Sequence, residues 1–222
     1  MLTTFRDRSE AGRVLATLLE EYRGRADAIV LALPRGGVPV GYEVARELGI
    51  PLDVLIVRKL GVPGHEELAM GAIASGGVRV VNDDVVRHLG IAPGIVDAVA
   101  ERESSEIERR EREYRGDRPR LRIEGRVAIV VDDGLATGST MKAAVGALRQ
   151  QNPASIVVAV PVAAADICEE FRAIADRFVC ASAPETLAAV SNWYDDFSQT
   201  SDKEVRVLLA KAARVRDEGE RQ

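Results

Sequence analysis

The chain has 222 residues, the size of one domain with additions, and it is long enough to bury a substantial hydrophobic core. With 46% apolar, 29% charged and only 4% aromatic residues, the sequence excludes wholesale disorder and favours an aliphatic core, as in parallel sheets covered by helices. The formal net charge of −5 argues against binding long nucleic acid through net charge, although a local basic cleft stays open.

The first predicted elements are a helix, a strand and a second helix. Asp7 is followed three residues later by Glu10, a pair typical of a helix start, and apolar residues follow at helical spacing. Residues 28–33 form a continuous apolar run that ends in a glycine turn at 34–37, which predicts a buried strand. Residues 38–48 again have helical spacing.

The next segment is rich in charge and glycine. Residues 53–57 predict a second strand. Residues 58–67 follow with two glycines, one proline and five ionisable side chains, so we interpret them as an exposed, mobile loop. Residues 68–74 and 78–81 are predicted to pair as a hairpin across Ser75-Gly76-Gly77.

A run of alternating charges lies within residues 94–115. Six glutamates and five arginines fall between residues 101 and 115, and three of the glutamates precede an arginine by four positions. These pairs are Glu106/Arg110, Glu108/Arg112 and Glu111/Arg115. The spacing supports a solvated helix, so we interpret the run as an exposed connecting helix, with a partner-binding helix as the alternative.

Strands and helices alternate through the rest of the chain. Predicted strands lie at 127–131, 156–160 and 178–180. Predicted helices lie at 139–149, at 164–175, after Ser182 and Pro184, and from the capping pair Ser201/Glu204 to about residue 215. The alternation predicts an α/β fold with a mainly parallel sheet flanked by helices, in which ligands bind beyond the carboxyl ends of the strands.

The loop at residues 132–140 carries the most specific pattern. A buried strand ends in Asp132-Asp133, and small and hydroxyl residues around Gly138 then open a helix. Backbone amides at a helix N-terminus favour an anion such as phosphate, whereas two adjacent acids would repel a bare phosphate. The combination fits a sugar phosphate, with the acids accepting hydrogen bonds from ribose hydroxyls. An ordinary cap and turn pair is the alternative.

This segment resembles the 5-phosphoribosyl-1-pyrophosphate (PRPP) motif of type I phosphoribosyltransferases. The resemblance covers four apolar residues, two acids and the small and hydroxyl residues after them, with Gly134 where a branched aliphatic is usual. Ala136 stands where the 6-oxopurine enzymes have a general-base aspartate, and the run 136–141 is locally similar to adenine phosphoribosyltransferase. The resemblance implies PRPP binding by Asp132, Asp133, Gly134, Leu135, Ala136, Thr137, Gly138, Ser139 and Thr140.

The turn at 34–37 matches the same family by position. In the family, the turn after the first strand binds pyrophosphate through backbone amides, often across a cis peptide. The resemblance therefore implies pyrophosphate contacts from Arg35, Gly36 and Gly37, with a cis bond between Pro34 and Arg35. Taken alone, the pattern favours a tight turn with a surface arginine, whereas beside the 132–140 loop we favour pyrophosphate contacts.

A loop after the second strand also has a counterpart in the family, where it closes over PRPP and brings basic residues to the leaving group. The resemblance implies this role for Arg58 and Lys59, so we expect these two residues, with Asp132 and Asp133, to act in catalysis. His65 is a candidate for proton transfer to or from the acceptor, and a solvated loop histidine is the alternative.

The densest aromatic stretch is Trp193-Tyr194-Asp195-Asp196-Phe197, within a C-terminal segment at 182–215 that we expect to form a small hood and helix. A separate hood covers the acceptor in the family, which implies acceptor contacts from Trp193, Tyr194 and Asp195. Alternatively, Trp193 and Phe197 pin the C-terminal helix to the core.

The family resemblance spans a core at about 28–181 within one domain over 1–222, and it is shared with a bacterial group whose acceptor is not assigned. It implies an enzyme that transfers 5-phosphoribosyl from PRPP to a nitrogenous acceptor, such as a heterocyclic base, with Mg²⁺ bound mainly through PRPP. A homodimer is common in the family. The alternatives are a non-catalytic PRPP- or nucleotide-binding regulatory protein and another sugar-phosphate enzyme such as a phosphohydrolase.

The remaining expectations concern the chain's surroundings. Residues 1–10 hold no apolar signal segment, and the apolar runs are far shorter than the roughly 20 residues of a spanning helix, so we expect a cytoplasmic protein without membrane contact. Cys168 and Cys180 have no metal-ligand spacing. We expect them to be reduced thiols, with a disulfide as the alternative.

Overall fold

The computed structural model describes residues 4–219, with side chains described through residue 214. Its strands are β1 (Ala28–Ala32), β2 (Leu52–Val54), β3 (Val57–Val62), β4 (His65–Ala74), β5 (Val78–Val81), β6 (Val127–Val131), β7 (Ser155–Val162) and β8 (Arg177–Ser182). Its helices are α1 (Arg8–Leu18), α2 (Gly37–Leu48), α3 (Asp83–His88), α4 (Pro93–Arg115), α5 (Ser139–Arg149), α6 (Ala165–Ile174) and α7 (Asp202–Gly219).

A parallel sheet in the order β2-β1-β6-β7-β8 forms the core. Every residue of β1 and β6 is buried, because helices cover both faces of the sheet and the strands are aliphatic throughout. The register pairs Ala28 with Val127 and Ala32 with Val131, which brings the carboxyl ends of β1 and β6 side by side. The predicted α/β class with a mainly parallel sheet is confirmed.

The segment predicted as an exposed loop at 58–67 is instead most of a β-hairpin. Strands β3 and β4 pair antiparallel, with Arg58 opposite Ile73 and Lys59 opposite Ala72, and only Pro63-Gly64 forms the turn. Leu60 and Val62 are buried on one side of β3, which the many charges of the segment concealed. The predicted hairpin across Ser75-Gly76-Gly77 is confirmed, and it adds β5 to this second sheet.

The charged helix is present as α4, but it is not a simple exposed connector. One of its faces is buried against β3, β4 and α7. That face includes Glu103, Glu111 and Arg115 among aliphatic residues. Arg115 donates to Asp53 on β2 at 2.7 Å and lies 2.9 Å from Glu111, so the helix is tied to the edge of the parallel sheet.

The C-terminal segment returns to the start of the chain. No helix follows Ser182 and Pro184 directly, since the chain is irregular until a 3₁₀ turn at Val190–Trp193. The predicted cap of the last helix is confirmed, because the Glu204 amide donates to Ser201 Oγ at 3.2 Å. Phe5 pairs with Tyr194 in a single parallel bridge, so the N-terminal segment lies against the aromatic run at 193–197. Residues 1–3 and 220–222 of the predicted domain lie outside the described residues.

Two structural features bear on the expectations about membrane contact and about the cysteines. Across residues 4–219, no helix combines the length and the apolar character that crossing a bilayer requires. Cys168 and Cys180 carry free thiols, and burial raises the pKa of both, that of Cys180 to about 12.

Candidate functional site

Asp132 and Asp133 project from the carboxyl end of β6 at the centre of the sheet. The Asp133 amide donates to Oδ1 of Asp132 at 2.9 Å, which orients the first carboxylate. Burial raises the pKa of Asp132 well above its usual range, and the neighbouring charge of Asp133 adds to that effect. Burial also raises the pKa of Asp133, although Arg8 opposes the shift. Two acids held in this way are poised to accept hydrogen bonds from a ligand.

The glycine turn that follows β1 packs directly against these acids. A β-carbon on Gly36 would overlap Oδ2 of Asp133, and one on Gly37 would lie 2.7 Å from the Val131 carbonyl oxygen. Only glycine therefore permits the two loops to approach this closely. The bond between Pro34 and Arg35 is cis, as the family resemblance implies.

The first half of the 132–140 loop is anchored to the sheet. A β-carbon on Gly134 would lie 2.6 Å from Cγ1 of Val190, so the side chain of Val190 occupies the space that a branched aliphatic at 134 would fill. Leu135 is buried, and its amide donates to the Val162 carbonyl at 2.9 Å. Ala136 is exposed and makes no polar side-chain contribution. These contacts fix where the second half of the loop begins.

The second half of the loop opens α5. Gly138 has a φ of 66° as the residue before the helix, and a β-carbon there would lie 2.5 Å from the Phe171 ring. The first intrahelical bond runs from the Lys142 amide to the Gly138 carbonyl, so the earlier amides have no partner inside the helix. Thr137 and Thr140 are exposed and Ser139 is half-buried beside these amides. The arrangement suits an anion with several oxygens.

Arg58 and Lys59 are adjacent on β3, and neighbouring strand residues point to opposite faces. Arg58 Nε lies 2.8 Å from Oε2 of Glu103 on α4. Lys59 is exposed and lines a cleft of about 760 Å³ together with Ser139 and Lys142 of α5. The structure therefore brings Lys59 to the cleft beside the 132–140 loop and directs Arg58 to the charged helix. Arg35 is half-exposed, with Nη1 3.8 Å from Oδ2 of Asp202.

The aromatic run near the C-terminus contacts the acidic pair. Tyr194 is buried between Phe5 and Phe197, whose ring centres lie 5.6 and 5.0 Å away. Its hydroxyl donates to the Asp133 carbonyl at 2.6 Å, and burial raises its pKa. Asp195 accepts a hydrogen bond from Thr4 at 3.1 Å. Tyr194 therefore joins the N-terminal segment to the acidic loop. The acceptor role of Trp193, Tyr194 and Asp195 stays a prediction, and so does its alternative, the pinning of the C-terminal helix by Trp193 and Phe197.

Arg8 is a site residue that the sequence analysis missed. Its Nε atom lies 2.8 Å from Oδ2 of Asp133, although 125 positions separate the two residues. No local pattern identifies it, because Arg8 is the first residue of an ordinary capped helix. Only the fold reveals that the start of α1 reaches the acidic loop.

Mg²⁺ is the metal ion that the family resemblance implies. Within residues 4–214, whose side chains are described, no group of three or more histidine, cysteine, aspartate or glutamate side chains is arranged to hold a metal ion. Mg²⁺ commonly keeps several waters and binds chiefly through substrate phosphates.

Comparison with known proteins decides the family. Over residues 7–190 the chain matches the family described as "Phosphoribosyl transferase domain". The chain belongs to this family. The geometry above therefore describes the acidic loop and the glycine turn of a phosphoribosyl transferase domain.

Similar proteins extend the match over nearly the whole domain. Two Mycobacterium tuberculosis proteins, from strains CDC 1551 / Oshkosh and ATCC 25618 / H37Rv, are named "Putative phosphoribosyl transferase" and are 49% identical over 210 residues. The alignment covers 95% of this chain and 47% of each relative, so the chain spans about half their length. The crystal structure of TT1426 from Thermus thermophilus is 41% identical with a TM-score of 0.84, covering 94% of this chain and 99% of that chain.

Proposed function

We propose that this phosphoribosyl transferase domain transfers the 5-phosphoribosyl group of PRPP to a nitrogenous acceptor, such as a heterocyclic base, and releases pyrophosphate. The observation that supports it is the contact between two loops. Asp132-Asp133 and the N-terminus of α5 share one loop, and the Gly36-Gly37 turn lies against the acids. This contact supports a proposal in which ribose, phosphate and pyrophosphate all bind at one edge of the sheet.

Each part of PRPP has a proposed partner. The amides and hydroxyls of residues 137–140 hold the 5′-phosphate, and Asp132 and Asp133 accept hydrogen bonds from the ribose hydroxyls. The turn amides and Arg35 hold the pyrophosphate. Bound together with PRPP, Mg²⁺ would offset the negative charge of the leaving pyrophosphate.

The chemistry is a substitution at C1 of the ribose. The bond from C1 to the pyrophosphate oxygen breaks as the bond to the acceptor nitrogen forms, and the acceptor loses a proton. Positive charge develops on the sugar during this step, and the carboxylates beneath it stabilise that charge. Lys59, which faces the cleft, stabilises the leaving pyrophosphate, with Arg58 as a second candidate.

A non-catalytic PRPP- or nucleotide-binding regulatory protein is the second candidate function. The observation that favours it is the ion pair of Arg58 with Glu103, which directs one of the two implied leaving-group cations away from the cleft. Because the chain spans 47% of its curated relatives, the activity of a longer protein is part of the same proposal. A cytoplasmic location and a homodimer remain predictions.

A screen for pyrophosphate release separates the two candidates. The chain is incubated with PRPP and Mg²⁺ against a panel of purine and pyrimidine bases and simple amines, with Asp132→Asn/Asp133→Asn as the matched control. We expect release that depends on one class of acceptor and is absent in the control. Binding of PRPP without release for any acceptor supports the regulatory function, whereas phosphate release without an acceptor supports a phosphohydrolase.

A further inference from the structure

The side chain of Arg8 links α1, the acidic pair and the C-terminal segment. Besides Asp133, its guanidinium donates to the Ser198 carbonyl at 2.7 Å and lies 3.9 Å from the centre of the Phe197 ring. The Arg8 and Asp133 side chains are only 11% and 15% exposed. Because little water reaches the pair, salt screens it weakly and its geometry is well defined.

Asp133 is held at two points. Arg8 binds its carboxylate through Oδ2, and the Tyr194 hydroxyl donates to its backbone carbonyl at 2.6 Å. Arg8 occupies one carboxylate oxygen, and the other can accept from a ligand hydroxyl. Arg8 comes from α1 and Tyr194 from the segment before α7, whereas Asp133 follows β6 at the middle of the sheet.

The charges around the acids explain why a cation is needed there. Among the residues whose side chains are described, Asp132, Arg8 and Tyr194 are the titratable groups that interact with Asp133. Burial raises the pKa of both aspartates, and the hydrogen bond and charge of Arg8 oppose that shift at Asp133. When both acids are ionised, two carboxylates face a substrate that carries several phosphate charges. One fixed guanidinium reduces this repulsion.

We propose that Arg8 is a positioning residue, which orients the Asp133 carboxylate toward a ribose hydroxyl and offsets the charge of the acidic pair against the substrate phosphates. This inference rests on the proposed function, because it assumes that Asp133 faces a phosphorylated ribose. A lysine at position 8 would keep the charge but could not reproduce the fork that reaches both Asp133 and Ser198.

The test compares Arg8→Gln with Arg8→Lys and with Arg6→Gln. Arg6 provides the matched control, since it is two residues away, carries the same charge and pairs at the surface with Asp7. Calorimetric titration with PRPP and Mg²⁺ should show about tenfold weaker binding for Arg8→Gln, a smaller loss for Arg8→Lys and no change for Arg6→Gln. Circular dichroism confirms that each variant is folded.

A double-mutant cycle shows whether Arg8 acts through Asp133. In the Asp133→Asn background, Arg8→Gln should cost little further PRPP affinity, and the two changes should also be non-additive in thermal stability without ligand. Equal PRPP affinity in wild type and Arg8→Gln, or additive effects in either cycle, overturns the proposal. If wild type itself binds no PRPP, the proposed function fails, and the ligand-free stability cycle still decides whether Arg8 and Asp133 form a coupled pair.

Discussion

Two clusters of acids in this molecule, one buried and one half-buried, differ in how their charge is balanced. At the edge of the sheet, Arg115 contacts Asp53 and Glu111, and Arg120 also pairs with Glu111. At the centre, Arg8 contacts one member of the acidic pair, Asp133. Within the part of the chain whose side chains are described, the edge cluster has two arginines for two acids, and the central one has a single arginine.

This difference in charge balance is reflected in the pKa values of the acids. Burial raises the pKa of Glu111, but hydrogen bonds led by that from Arg115 outweigh it, so the pKa is lowered. Burial raises the pKa of Asp132, and no opposing cation outweighs it among the described residues. The comparison teaches that compensated acids join elements of the fold, whereas acids left partly uncompensated mark the candidate ligand site.

The largest expected effect follows from removing the shared cation of the edge cluster. Arg115→Met leaves Asp53 and Glu111 as buried acids without that partner, and it should lower the free energy of unfolding by about 3–5 kcal/mol. Urea denaturation measures the loss. The matched control is Arg112→Met on the exposed face of α4, where 73% of the side chain is accessible and we expect less than about 0.5 kcal/mol. Equal effects would show that the edge cluster does not support the fold.

The central pair should behave in the opposite way. Asp132→Asn/Asp133→Asn keeps the shape of both side chains but removes their charge, so the fold should persist while PRPP affinity falls by about a hundredfold or more. Calorimetry measures the affinity, and a thermal melt checks the fold. Unchanged PRPP affinity would contradict the assignment of these acids to the ribose.

The hairpin offers a smaller contrast between two neighbouring cations. Lys59→Ala removes a charge that faces the cleft, so turnover should slow by about tenfold while PRPP affinity changes less. Arg58→Ala removes the contact with Glu103 and should act mainly on stability. Steady-state kinetics and PRPP titration of both variants measure the difference. If only Arg58→Ala slows turnover, the leaving-group role belongs to Arg58 instead.

The smallest expected effect is on stability, where Asp132→Asn and Glu111→Gln should change the free energy of unfolding in opposite directions at neutral pH. The raised pKa of Asp132 means that its ionisation costs stability above its ordinary value of 3.8, so Asp132→Asn should be more stable than wild type at neutral pH. That gain should shrink as the pH falls and vanish below about 3.8. Glu111→Gln should lose stability at neutral pH, because a lowered pKa stabilises the fold above 4.5, and this loss should fade in acid. The free energy of unfolding of both variants is measured across this pH range. A stability change of the same sign in both variants at neutral pH would contradict the prediction.

Local patterns predicted much of this architecture. The continuous aliphatic runs in β1 and β6 can only be buried on both faces, and the caps at Asp7 and Ser201 use neighbours within three residues. The acids and glycines of the 132–140 loop are close together in the sequence, so the candidate ligand loop could also be predicted from the sequence. What these features share is a short range along the chain.

The features that escaped prediction depend on distant partners. The charges at 58–67 suggested an exposed loop, because the pairing with β4 that makes the segment part of a hairpin leaves no local pattern. The Glu111/Arg115 spacing is the same as on an exposed helix, and only Asp53, 62 positions away, reveals that Arg115 is buried. Arg8 meets Asp133 across 125 positions. Such contacts follow from the topology and leave no local pattern.

Soaking a crystal of this chain with PRPP and Mg²⁺, or with a ribonucleotide, shows directly whether the 132–140 loop binds a phosphorylated ribose. We expect the 5′-phosphate on the backbone amides of residues 137–140 and the ribose hydroxyls on Asp132 and Asp133. A soaked crystal in which that loop stays empty, while the ligand binds elsewhere or not at all, would contradict this expectation.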